Sequence, residues 1–245
     1  MNIISSSYGN DSVALIQWAH EQKLTNITVA YCDTGWSAPS WPMRVNRCEV
    51  FARKLGFATV RCRSIGMAEL VRMKKGWPGN GQQFCTAHLK GVPFLSWIDE
   101  FDTETKAVVL IGKRRAESEK RKDTPEFIDA SEYHGGRKIW HPLFAHTDEM
   151  RNELLARAGF EPLAHRSLEC NPCVNANRGD FLRLTPGEIE RVNDLEAEIG
   201  KPMFRPKRFN AMGIHGVIVW AKDGRNRAST ENEESDCASS FGCGV

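Results

Sequence analysis

The sequence lacks any long apolar run, and no stretch of its 245 residues approaches the length that a helix needs to cross a membrane. A large charge of either sign is also missing, since the formal net charge is +2, so composition argues neither for nor against a nucleic-acid partner. The N-terminus has no basic region ahead of an apolar core and a cleavage site. We therefore predict a cytoplasmic protein without a membrane anchor, long enough for one large α/β domain.

The N-terminal segment also lacks the Gly-Lys-Ser/Thr ending of a Walker loop, yet it carries a strand-turn-helix signal. Residues 1–6 have the pattern of a short buried strand, and residues 13–23 have helical spacing of apolar side chains. The turn between them leaves backbone N–H groups and the positive end of the helix dipole facing outward, which makes an anion site. The residues predicted to bind a phosphate here are Ser5, Ser7, Tyr8, Gly9, Asn10, Asp11 and Ser12.

Further strand and helix patterns follow in alternation. Predicted strands cover residues 26–32, 58–62 and 107–112, with helical spacing between them, and this order indicates a parallel sheet with right-handed crossovers. The first of these strands ends in Asp33-Thr34-Gly35, at the edge where open α/β sheets bind ligands. Near the C-terminus, residues 216–222 are predicted to form a last edge strand.

A dense run of charge follows the strand at residues 107–112. Most such runs are solvated helix faces, but this one begins where a central strand ends. Guanidinium groups at that position can bind phosphate or sulfate in bidentate fashion. The arginines concerned are Arg114, Arg115 and Arg121.

Eight cysteines in a chain without a recognisable secretion signal indicate metal or redox chemistry before disulfides. Cys170 and Cys173 have the Cys-x2-Cys spacing, which suits zinc, an iron-sulfur cluster or a redox pair. Cys85 is five residues from Lys90, and a neighbouring ammonium group lowers the pKa of a thiol. Two more cysteines, Cys237 and Cys243, lie in a Ser- and Gly-containing tail.

Two motifs in the expected order resemble the phosphoadenosine phosphosulfate (PAPS) reductase family of the adenine-nucleotide alpha-hydrolase-like superfamily. The pattern Ser-x-Gly-x-Asp-Ser of the superfamily's PP-loop is similar to residues 7–12, although Asn10 stands where many members carry Lys. The family's Gly-x-Arg-Arg-x-x-Ser-x-x-Arg signature resembles residues 112–121, with Gly112 and Ser118 in place. The family's Asp-Thr-Gly turn resembles residues 33–35.

The resemblance implies a three-layer, Rossmann-like α/β fold with a Cys-rich C-terminal extension. Residues 1–165 would form the nucleotide-binding domain, and residues 166–245 would pack on the same domain. It further implies an adenine nucleotide such as ATP, with Mg²⁺, bound by the PP-loop and by Gly112, Ser118 and Arg121, and adenosine near Asp33, Thr34 and Gly35. Catalytic roles would fall to Arg114, Arg115 and Lys90.

The cysteines would hold a [4Fe-4S] cluster by the same resemblance. Cys85, Cys170 and Cys173 would supply three ligands, and Cys237 or Cys243 would supply the fourth. Zinc is the runner-up, since thiolates bind both.

Three functions are compatible with these features. The first is ATP cleavage between the α and β phosphates, coupled to sulfur transfer or to sulfur modification of a nucleic acid. The second is reduction of adenylyl sulfate or its 3′-phosphorylated form, which a degraded C-terminal Cys-Gly motif at Cys243 disfavours. The third is a non-catalytic nucleic-acid-binding module with a zinc knuckle. The partners expected are the nucleotide, a sulfur donor protein and a nucleic-acid substrate; the oligomeric state stays open, a homodimer included.

Overall fold

A computed structural model describes residues 1–79, 83–204 and 212–223. Its six strands form one sheet in the order β3-β2-β1-β4-β6-β5, and neighbouring strands are parallel except for β5, which is antiparallel to β6. The strands are β1 (Asn2–Ser6), β2 (Ile27–Asp33), β3 (Ala58–Arg63), β4 (Val108–Ile111), β5 (Phe127–Ser131) and β6 (Arg137–Trp140). The predicted α/β class with a largely parallel sheet is confirmed.

The helices alternate with the strands in the first part of the chain and follow one another in the last part. They are α1 (Asn10–Glu21), α2 (Trp41–Lys54), α3 (Met67–Lys74), α4 (Phe84–Thr86), α5 (Val92–Phe101), α6 (Asp148–Arg157), α7 (Arg178–Leu182), α8 (Pro186–Ile199) and α9 (Gly213–Lys222). A π-helical segment, Ala87–Gly91, joins α4 to α5, and short 3₁₀ turns occur at Arg115–Glu117, Glu119–Arg121 and Glu132–His134. In the described ranges, we find no helix with the length and apolar character needed to span a bilayer.

Helices cover both faces of the sheet, which explains why the central strands are apolar without alternation. On one face Ile4, Tyr31 and Leu110 pack against α1, α2 and α6. On the other face Ile3 and Val109 pack against α5. Successive residues of β1 therefore enter different cores, and the fold has three layers.

A further apolar cluster joins the C-terminal helices to the sheet domain. It contains Trp36 and Met67 from the first part of the chain together with Phe181, Val192 and Ile214 from the last. The edge strand predicted for residues 216–222 is wrong, because this segment belongs to α9. Its buried residues recur at intervals of three and four, which is helical spacing, and the β-branched side chains that suggested a strand fill this cluster.

The direction of strand addition reverses at β1. The chain adds β2 and β3 on one side of β1 and then returns to place β4 on the other side. In open α/β sheets this reversal leaves a crevice at the carboxyl ends of the two strands concerned, and ligands bind there. The turn after β1 and the charged segment after β4 therefore lie next to each other.

Candidate active site

The turn after β1 is shaped by its own hydroxyl groups. The Ser7 N–H donates to Ser12 Oγ (3.2 Å), the Tyr8 N–H to Ser6 Oγ (3.1 Å) and the Gly9 N–H to Ser7 Oγ (3.2 Å). Tyr8 adopts a left-handed conformation (φ 58°), and its buried ring stacks on the next strand. The turn is therefore preformed, and three of its N–H groups already have partners within it.

A buried ion pair connects this turn to the segment after β4. The Arg114 guanidinium donates to Asp11, and both side chains are only 2% exposed. Arg114 also donates to Asp148 (2.9 Å) and to the carbonyl oxygen of His146 (3.3 Å). Burial by itself lowers the pKa of Arg114, but the charges of Asp11 and Asp148 raise it, and the net shift is upward.

Gly112 permits this close approach. A Cβ at position 112 would lie 2.9 Å from the carbonyl oxygen of Asp11 and 3.3 Å from the Ser12 nitrogen, both of which belong to the backbone of α1. Any side chain there would push the segment after β4 away from the start of α1. The glycine of the predicted signature is thus explained by packing.

A cavity of about 790 Å³ opens next to the ion pair, at the carboxyl edge of the sheet. That volume lies within the range of ligand pockets. It contains many charges and few apolar side chains; the charged residues that line it are Asp11, Arg114, Glu117, Asp148, Arg151, Arg166, Arg178, Asp180 and Arg183. One Asp11 oxygen, Oδ2, is buried and has no hydrogen-bond partner within the described ranges.

Asn10 lines the same cavity but is engaged by the backbone. Its side-chain amide donates to the Leu163 carbonyl (3.0 Å), and its side-chain oxygen accepts from the Leu163 N–H (2.9 Å). The residue that replaces the family's lysine therefore holds a distant segment against the start of α1. A β-carbon added to Gly9 would lie 3.2 Å from the Ser167 β-carbon, so the same segment also covers the turn.

The other arginines of the signature lie elsewhere. Arg115 donates to the Thr124 carbonyl (2.9 Å) and stacks over Phe144, and it does not line the cavity. Arg121 is buried and forms an ion pair with Glu117, a residue that lines the cavity, but Arg121 is not itself a lining residue. The Ser118 hydroxyl is buried, and we find no hydrogen-bond partner for it in the described part of the chain.

The Asp33-Thr34-Gly35 turn is not brought into the large cavity. The Gly35 N–H donates to Asp33 Oδ1 (3.0 Å), and the fully buried Thr34 hydroxyl donates to the Glu169 carbonyl (2.5 Å). Gly35 lines a different cavity of about 490 Å³, between α3 and α8. Adenosine binding at this turn stays a prediction from the resemblance.

Lys90 is buried beneath the turn and forms an ion pair with Glu169. Both residues line a void of about 10 Å³ together with Ser5, Ser7 and Cys32. That volume suits about one water molecule and no nucleotide. The structure therefore places Lys90 close to the turn but outside the large cavity.

Three of the five cysteines expected as ligands from the resemblance, Cys85, Cys170 and Cys173, lie within the described residues. Within the residues that the structure describes, no group of three or more His, Cys, Asp or Glu side chains is arranged to hold a metal ion. Burial raises the pKa of Cys170, and the sulfur of Cys173 accepts from the Asn175 N–H (3.5 Å). Cys237 and Cys243 lie outside the described residues. The cluster stays a prediction.

Several residues of the cavity were not anticipated from the sequence. They are Arg151, His165, Arg166, Arg178, Asp180 and Arg183. Among these residues, only Asp180 belongs to a local sequence signal, the Asn177–Asp180 capping box at the start of α7. That signal indicates the start of a helix and not a binding site.

Comparison with known proteins identifies the family to which most of the chain is similar. Residues 1–166 match the family profile described as "Phosphoadenosine phosphosulfate reductase domain". Forty-one chains of known structure match, among them a phosphoadenylyl-sulfate (PAPS) reductase from Candida auris in complex with phosphate. That match has 11% sequence identity and a TM-score of 0.43, and it covers 66% of this chain and 74% of the other. No curated protein matches.

Proposed function

The chain belongs to the phosphoadenosine phosphosulfate reductase domain family, and we propose that it is an enzyme that binds an adenine nucleotide in the cavity between β1 and β4. Membership of this family supports a sulfonucleotide-related function in sulfur metabolism. The observation that carries the proposal is the buried contact between Arg114 and Asp11. It joins the two motifs of the family at the floor of one cavity, where open α/β sheets bind ligands.

The chemistry we propose is cleavage of ATP between its α and β phosphates. An oxygen of the acceptor attacks the α-phosphorus, the bond to the bridging oxygen breaks, and pyrophosphate leaves with the electron pair. A sulfur nucleophile then displaces AMP from the activated acceptor. Arg114 and Arg151 are the cations at the β1–β4 end of the cavity, and fixed cations there stabilise the charge that develops on phosphate oxygens.

Carboxylates at the same end suit Mg²⁺. This ion is usually bound by one or two carboxylates together with substrate phosphates and water. The buried Asp11 Oδ2 and the half-exposed Asp148 are the oxygen donors there. When bound, Mg²⁺ would neutralise phosphate charge, while Arg114 keeps both carboxylates in place.

The degraded Cys-Gly end of the sequence at Cys243 favours ATP chemistry over sulfonucleotide reduction. Among the residues that the structure describes, none of those lining the cavity is a cysteine. Burial raises the pKa of Cys48 to about 12 and raises that of Cys170, so these two are thiols at neutral pH. The name of the family supports the reductase as the second candidate, with the cysteine at 243 as the attacking group.

Product analysis distinguishes the candidates. In the presence of Mg²⁺, a suitable acceptor and a sulfur nucleophile, the anaerobically purified protein should convert ATP to AMP and pyrophosphate, and Arg114→Gln should abolish this. Glu21→Gln, which removes a surface partner of Arg157, is the matched control. Sulfite released from a sulfonucleotide with thioredoxin would establish the reductase instead. Zinc in the purified protein with no nucleotide binding would leave only the nucleic-acid-binding module.

A further inference from the structure

Two parts of the lining of the large cavity differ in charge. Next to the ends of β1 and β4, two guanidinium groups, Arg114 and Arg151, lie among three carboxylates, Asp11, Glu117 and Asp148. The second part, which we call the wall, comes from residues 163–183, and three guanidinium groups line it together with one carboxylate. The wall is therefore the more electropositive part of the lining.

This wall has a fixed geometry. The Asp180 carboxylate accepts from Arg166 Nε (3.2 Å) on one oxygen and from Arg183 Nη2 (2.5 Å) on the other. Asp180 is itself 6% exposed, and its Oδ2 also accepts from the Asn177 N–H (2.9 Å). One buried carboxylate thus orients two guanidinium groups, which lowers the entropy they lose when they bind an anion.

The third guanidinium is anchored separately. Arg178 donates to the Ala221 carbonyl (2.8 Å) and to the Asp223 carbonyl (3.3 Å) at the end of α9. Carbonyl groups hold a guanidinium in place without cancelling its charge. Gly179 lies beside Arg183, since a Cβ there would be in van der Waals contact with Arg183 Nη1 at 3.4 Å.

We propose that Arg166, Arg178 and Arg183 form a second anion subsite, which binds a phosphate group other than the one held at the β1–β4 end. The inference rests on the proposed function, because it assigns another part of the lining of the same cavity. The match to the family profile ends at residue 166, so two of the three arginines lie outside the family domain. Guanidinium forks bind phosphate oxygens in bidentate fashion.

The phosphate has two potential sources. It belongs either to the nucleotide itself, as the distal phosphates of ATP, or to a separate phosphodiester acceptor. A cavity of about 790 Å³ is large enough for a ligand that carries more than one phosphate group. Probes that differ in their phosphate groups therefore distinguish the two sources.

Calorimetric titration of the full chain with three probes tests the subsite: AMP, ATP and a thymidine pentanucleotide. Arg183→Gln is the test variant, because its side chain is 46% exposed and its loss leaves Arg166 on Asp180. Arg157→Gln, whose side chain is 49% exposed on α6, is the control for charge alone. We expect Arg183→Gln to weaken one probe about tenfold, as for the loss of a charge-assisted contact, with AMP binding changed less than about twofold.

Weaker ATP binding assigns the subsite to the nucleotide's distal phosphates, and weaker pentanucleotide binding with a smaller salt dependence assigns it to the acceptor. Unchanged affinity for both probes overturns the subsite, while intact AMP binding keeps the proposed function. Equal losses in Arg183→Gln and Arg157→Gln overturn it too, since they indicate a general charge effect. If the wild-type chain binds neither AMP nor ATP, the proposed function fails, and the pentanucleotide titration still decides the subsite. Arg183→Lys should recover part of the lost affinity, because it restores the charge without the fork.

Discussion

The ion pair between Arg114 and Asp11 should be the most strongly coupled pair of charges at the site. Both side chains are 2% exposed, so removing one partner leaves the other charge in a poorly solvated place. Breaking a buried pair in this way costs about 3–5 kcal/mol of unfolding free energy. Arg114 retains Asp148 and the His146 carbonyl, which moves the expected cost of Asp11→Asn toward about 3 kcal/mol.

A double-mutant cycle isolates the interaction. Asp11→Asn and Arg114→Met each leave one charge of the pair without its partner, whereas the double variant removes both charges. The double variant should therefore lose less unfolding free energy than the two single variants together. We expect a coupling energy of about 2–3 kcal/mol from the difference. Urea unfolding followed by circular dichroism measures it, provided that the m-value is the same in all four proteins.

The surface pair between Arg157 and Glu21 is a control of the same chemistry. Its side chains are 49% and 31% exposed, so the cycle of Arg157→Met and Glu21→Gln should give less than about 1 kcal/mol. A coupling between Arg114 and Asp11 no larger than that of the control would refute the argument that burial makes this contact the structural link between the two motifs.

Three further predictions concern the surroundings of the site. Gly112→Ala should destabilise the fold by about 2 kcal/mol and weaken nucleotide binding, because its Cβ meets the backbone of α1, whereas Gly187→Ala, with nothing within 4 Å, should be neutral or stabilising in urea unfolding. Asn10→Lys should weaken nucleotide binding in calorimetry despite its added charge, because both hydrogen bonds to Leu163 are lost; tighter binding would contradict this. Burial lowers the pKa of His134 and of His141 from 6.5 to about 4, so the unfolded state binds more protons below pH 6.5. The contribution of each neutral histidine to the free energy of unfolding should be fully present above pH 6.5 and should decrease by about 3 kcal/mol between pH 6.5 and 4. Urea unfolding at a series of pH values measures this, and His141→Asn should make the decrease smaller.

The sheet could be predicted from the sequence because its signals are local. Mostly apolar runs such as residues 26–32 and helical spacing such as that of α1 can be recognised without knowledge of the rest of the chain. The strand β5 escaped prediction, since its residues are mostly exposed and show no alternation. The strand predicted for residues 216–222 is wrong because β-branched residues favour strands, whereas this segment is part of a helix that packs in the C-terminal apolar cluster.

The site could be predicted from the sequence only where the order of the strands fixes the position of a motif. The proximity of the turn after β1 to Gly112 and Arg114 follows from parallel strand order, and the structure brings these residues together. The positions of Arg115 and Arg121 do not follow from spacing, because a 3₁₀ turn rotates successive arginines to different surroundings. The arginines of residues 163–183 could not be predicted as part of the site. Their position at the cavity depends on contacts between residues more than a hundred positions apart in sequence, such as Asn10 with Leu163.

Asn10 and the distant arginine wall are best understood together. A lysine at position 10 would place a cation at the turn itself, but here the amide holds Leu163, three residues before Arg166. The same segment continues over Gly9 through Ser167 and reaches the Lys90 ion pair at Glu169. Fixing this segment on α1 sets the position of the wall that carries the cations. The proposed subsite on this wall then supplies, within the same cavity, the charge that the turn lacks.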